Sequence, residues 1–113
     1  MRRVLGRDHH HTLTTSANLA FSLSEQGKYT EAVEIQREVL VSTTSLLGAE
    51  HERTLLSASN LASSLWQCGK KTEVEQLLRE TLVLSRRVLG PTHKHTQYVT
   101  EFLRAKFRPL QRG

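Results

Sequence analysis

Six histidines, one cysteine and two asparagines in matching positions are the residues of this chain whose types could do chemistry. His9, His10 and His11 are consecutive, while His51, His93 and His95 stand far along the sequence. Neighbouring residues on a helix cannot all turn towards one ion, and the remaining histidines should be separated by the length of a structural unit, so no metal site is expected. Packing at the starts of helices is the role expected for His9, His51 and His93. Cys68 has no second cysteine to pair with and precedes Gly69, a position that suits packing beside a turn. No P-loop, dinucleotide fingerprint, Cys-His pair at a recognisable spacing or carboxylate pair with a pocket is present, so neither an enzyme nor a cofactor is expected. Asn18 and Asn60 differ from all of these. Each opens the triplet Asn-Leu-Ala, and a primary amide offers a hydrogen-bond donor and an acceptor together.

Those two triplets belong to a larger repetition. Gly6, Gly48 and Gly90 each follow a leucine and are spaced 42 residues apart. His9, Thr12, Leu13, Asn18, Leu19, Ala20, Leu23, Gly27 and Lys28 recur as His51, Thr54, Leu55, Asn60, Leu61, Ala62, Leu65, Gly69 and Lys70. A third copy opens with Arg-Arg-Val-Leu-Gly at 86–90, identical to residues 2–6, and continues through His93, His95, Thr96 and Leu103. A period of this size implies a stacked array in which each unit buries its apolar face only against its neighbours.

Within a copy the apolar residues recur at three- and four-residue steps. Leu13, Ala17, Ala20 and, one position round, Leu19 and Leu23 stripe a first helix that Gly27 stops; Ala32, Ile35, Val39 and Leu40 stripe a second that runs to Leu47 and Gly48. The second copy repeats both, from Leu55 to Gly69 and from Val74 to Gly90-Pro91. A fifth helix is expected over about His93 to Phe107, with Pro109 beyond it. Asp8, Glu50 and Thr92 are the expected residues at the starts of the odd-numbered helices. The expected fold is all-α: a right-handed α-solenoid of antiparallel helix pairs, about two and a half repeats and five helices. Residues 1–113 then form one array, with 1–7 the end of a preceding repeat, 8–48 and 49–90 two repeats, and 91–113 a partial third.

The chain has 113 residues, 37% of them hydrophobic and 24% charged. That is a composition for a small folded domain, not for disorder. Its longest purely apolar runs are three residues, such as Val39 to Val41, far short of the ~20 that span a bilayer. No secretory leader pattern is evident, and the lone cysteine fits a reducing compartment, so the cytoplasm is the expected location. A net charge of +5 favours an acidic partner; nucleic acid is disfavoured because no nucleic-acid motif accompanies the charge.

The segments NLAFSLSEQGKYTEA at 18–32 and NLASSLWQCGKKTEV at 60–74, with the closing Leu-Gly-x-x-His, resemble the tetratricopeptide repeat. More narrowly they are similar to the 42-residue variety of the kinesin light chains. The resemblance covers essentially the whole chain, with departures: Tyr29 and Ala32 become Lys71 and Val74 in the second copy, and Asn18 and Ala20 become Phe102 and Arg104 in the third. It implies that the first helix of each pair lines a concave wall. There Asn18 and Asn60 would form a ladder for an extended peptide, or else bond within their own repeats. Ala17, Phe21, Ser24 and Glu25, with Ser59, Ser63, Trp66 and Gln67, should share that wall. Trp66 is either a central anchor or a cover over the seam between repeats. Chaperone-binding members grip a terminal carboxylate from the positions held here by Ala17, Phe21, Ser59 and Ser63, none of which can do so. The function expected is a protein-interaction scaffold for an extended, acidic peptide. The alternative is a structural or self-associating segment of a larger repeat protein with no peptide ligand of its own.

Overall fold

A computed structural model describes residues 9–107, with side chains from residue 12 onward. Five helices follow one another: α1 (His9–Glu25), α2 (Tyr29–Leu47), α3 (Glu52–Gln67), α4 (Lys71–Val88) and α5 (Lys94–Lys106). Connections of three to five residues leave each helix no choice but to fold back antiparallel on the one before it. Each helix packs chiefly against its neighbours in sequence. The result is the expected right-handed all-α solenoid of helix pairs, 49 × 31 × 19 Å in extent.

Two glycines make the tight reversals within the pairs. Gly27 and Gly69 adopt φ of 82° and 81°, a left-handed conformation that L side chains avoid. It lets Lys28 N–H reach back to the Leu23 carbonyl at 2.8 Å and Lys70 N–H to the Leu65 carbonyl at 3.0 Å, which satisfies carbonyls the helix ends would leave open. At the starts of α3 and α5 the cap lies one residue later than expected. His51 Nδ1 accepts from Arg53 N–H and His93 Nδ1 from His95 N–H, both at 3.0 Å, in place of Glu50 and Thr92. The expected cap Asp8 lies outside the described residues, as do the side chains of His9, His10 and His11. Helix α5 itself is one residue shorter at each end than the sequence suggested.

The core is continuous across repeats. Val33 of α2, Leu61, Ala62 and Leu65 of α3, Val74 and Leu78 of α4, and Val99 and Leu103 of α5 form one buried cluster. Helix α3 sits at its centre, touching α2 on one side and α4 on the other. The second repeat absorbs its departures from the pattern. Val74 is fully buried where Ala32 stands in the first repeat, and Lys71, in the place of Tyr29, lays its ammonium 5.0 Å from the Trp66 ring.

Hydroxyls add to the aliphatic contact of Val99 and Leu103 where α5 joins. Ser85 and Thr96, both buried, share a 2.5 Å hydrogen bond, and Ser59 Oγ lies 2.7 Å from His95 Nε2. The His95 ring is 7% exposed, and among the described residues its Nδ1 has no partner. Burial pushes its pKa below the ordinary 6.5, helped by the nearby His93 and opposed by Glu52. Because the folded chain resists the proton that the unfolded chain accepts, the stability His95 contributes is complete above 6.5 and falls as the pH drops below it.

Two outcomes are expected. Leu65→Ala should cost about 2–5 kcal/mol in urea unfolding, since it empties a fully buried site at the middle of the core. Helix α5 should loosen as the pH falls below 6.5, seen as faster amide exchange in residues 94–106, and His95→Asn should flatten that dependence. An unchanged pH profile in the variant would count against the buried imidazole as its source.

Candidate functional site

The asparagines singled out by the repeat stand at equivalent places on α1 and α3, and both are exposed. Helical spacing puts Phe21 one turn beyond Asn18, where its ring is 64% exposed. Glu25 and Gln67 are exposed at the ends of the same two helices. Between the helices the structure brings together Ala17 and Asn60, which line a small crevice with Gln36, Val39 and Ser57. Its volume is about 20 Å³, enough for one small group.

Gln36 is the residue in this crevice that the sequence reading missed. It is buried on α2, and its carbonyl oxygen Oε1 has no hydrogen-bond partner among the described residues. A signal was available: 42 residues on, the equivalent position is Leu78, wholly apolar and in the core. A polar residue at a position its own repeat reserves for leucine marks a place where the local environment differs.

Three other wall residues are engaged within the protein. Ser59 is 6% exposed and turned into the seam towards His95. The Ser63 hydroxyl is half-buried and lies 3.4 Å from the Tyr98 hydroxyl on α5. Trp66 is half-buried and meets Phe102 and Phe107 edge-on, each with ring centroids 5.6 Å apart. Lys71 and Lys106 hold their ammonium groups 5.0 and 5.5 Å from its ring. The surroundings of Trp66 therefore unite the α3–α5 seam with a local concentration of positive charge. Phe102 stands where the first two repeats carry asparagine, so the third copy gives up a possible amide rung for an aromatic contact.

Further along the surface, Arg37 of α2 and Glu73 of α4 form a two-pronged ion pair across the repeat boundary, with Arg37 Nη2 donating to Glu73 Oε1 at 3.0 Å. The hydrogen bonds from Arg37 hold the Glu73 carboxyl below its usual range, and burial opposes them. Both side chains are largely open to solvent, so the pair aligns α2 with α4 more than it stabilises them. Among the described residues no three His, Cys, Asp or Glu side chains gather in a way that could hold a metal ion, and no helix is long and apolar enough to cross a membrane.

No curated protein matches the sequence. A family model described as tetratricopeptide repeat matches residues 12–86, a stretch that takes in most of α1 and all of α2 and α3. With that match over helix pairs that repeat in sequence and stack in space, the chain belongs to the tetratricopeptide repeat family.

Proposed function

We propose that this chain is a non-enzymatic scaffold that binds an extended, acidic segment of a partner protein along the surface shared by α1 and α3. Members of its family mediate protein–protein contact, and the observation that carries the more specific reading is the pairing of Asn18 with Asn60. Both amides are exposed, in the same register on successive first helices, so one extended chain could meet both. Phe21 supplies exposed apolar area beside them, and the crevice lined by Ala17, Gln36 and Asn60 offers a place for a small donor group. A space of this size is far below the ~300 Å³ at which small-molecule pockets begin, which favours recognition along a surface. Acidic character in the partner follows from the net charge of +5 and from Lys71 and Lys106 flanking Trp66. In this reading Trp66 closes the seam and holds the two lysines, while Ser59 and Ser63 brace α5. The lone Cys68 and the likeness to the kinesin light-chain variety of the repeat both suit a cytoplasmic scaffold.

A second reading, a structural segment that associates through the end of its array, is favoured by Leu19 on α1, which is 51% exposed.

Peptides selected from a random displayed library against this chain should be enriched in Asp and Glu. Their affinity should fall as salt is added. The double variant Asn18→Ala, Asn60→Ala should weaken them by about tenfold, the loss expected when two hydrogen bonds of ~0.5–1.5 kcal/mol each are removed. Selected peptides that bind the double variant as well as the native chain would eliminate the amide ladder.

A further inference from the structure

One leucine recurs in all three copies of the repeat, and its surroundings differ at one end. Leu61 on α3 is 3% exposed and clusters with Val33 of the preceding helix, α2. Leu103 on α5 is 5% exposed against the preceding helix, α4. Leu19, the same position on α1, is 51% exposed. On α3 the residues that accompany it follow suit, Ser64 and Leu65 being 2% and 0% exposed, whereas Ser22 is exposed and Leu23 half-buried on α1, as their equivalents Lys106 and Phe107 are on α5. The leucine that α3 and α5 each bury beside the second helix of the preceding pair is therefore open on α1.

A second recurring residue marks the same docking surface. Thr54 Oγ1 donates to the Gly48 carbonyl at 2.7 Å, at the end of α2, and Thr96 shares a hydrogen bond with Ser85 near the end of α4. Thr12 holds the equivalent place on α1. Leucine and threonine together form a socket for the final turns of a helix, used twice within this chain. Among the described residues the opposite end of the array lacks a matching surface. Where α3 buries Leu55, Ala58 and Ala62, α5 carries Gln97, Thr100 and Arg104, the first and last of them exposed.

We propose that the outer face of α1 is a docking site for an amphipathic helix built on the pattern of α4, and that the array takes up further helices at this end alone. The interfaces α2–α3 and α4–α5 continue into it at the recurring leucine and threonine, Leu19 and Thr12. The occupant follows α4 because residues 2–6 repeat residues 86–90 letter for letter, and 86–90 are the last turn of α4 and its glycine stop. This gives the structural reading a partner of defined chemistry and does not depend on the peptide-binding surface of Asn18 and Asn60.

The test uses a synthetic peptide of residues 71–90, titrated into the isotopically labelled chain. Amide resonances of Leu19, Ser22 and Leu23 should shift, and Leu19→Arg should weaken binding by about tenfold or more, as expected for a central contact. Leu19 is half open already, so that variant should keep its thermal midpoint; Ser22→Arg, at an exposed site, provides a second check. Glu101→Arg on α5 should leave binding unchanged. Three results would overturn the proposal: no shift on α1 at millimolar peptide, shifts confined to α3 and α5 as the peptide displaces the chain's own α4, or a concentration-dependent dimer in sedimentation that Leu19→Arg abolishes, which would assign the face to a second copy.

Discussion

No helix in this protein can bury its apolar stripe alone, and that constraint governs everything built on it. A single amphipathic helix in water is marginal, and two of them leave half their apolar surface exposed. The chain meets the difficulty by repetition: α3 gives one edge of its stripe to α2 and the other to α4, and the same leucines and alanines that close one pair open the next. The exposed positions of one helix type consequently fall in register along the array. Shape is the direct product of core packing, and any recognition surface is what the packing leaves over.

The polar residues fall into two groups by the same logic. Those near the α3–α5 boundary, Ser59, Ser85, His95 and Thr96, are paired with one another and hold the last helix. Those on the α1–α3 surface, Asn18 and Asn60, face solvent. Gln36 stands between the groups, buried but without a protein partner among the described residues. An unpaired buried polar atom costs about 1–3 kcal/mol unless something pairs with it, and each boundary carries one, Gln36 Oε1 in the crevice and His95 Nδ1 at the seam.

Much of this was written in the period of the sequence. The spacing of glycines gave the helix stops, and three- and four-residue steps gave the helices, because both depend on local conformation and on faces that repeat. The histidine caps were not legible. Imidazole is a poor general cap, and only the β-region backbone at His51 and His93 brings Nδ1 over the first turn. Nor was the burial of Ser59, which depends on a histidine 36 residues away in a copy that departs from the pattern. Trp66 had two readings because its neighbours, Phe102 and Phe107, lie in that same divergent copy. Sequence sufficed for the helices and their glycine stops, while the caps, the exposure of Leu19 and the contacts of the third copy needed the packing to decide.

Helix α5 is attached on one side only, by Val99 and Leu103, two aromatic contacts to Trp66 and a seam of hydroxyls with one imidazole, whereas α3 is enclosed on two sides. Unequal attachment imposes a sequence on thermal opening: the last helix can fray and re-form while the middle of the rod stays closed. When it frays, Trp66 loses both of its phenylalanine neighbours at once and an aromatic surface flanked by lysine comes into view. How often that surface would open is governed by the burial of Val99 and Leu103 together with the two hydrogen bonds of the seam.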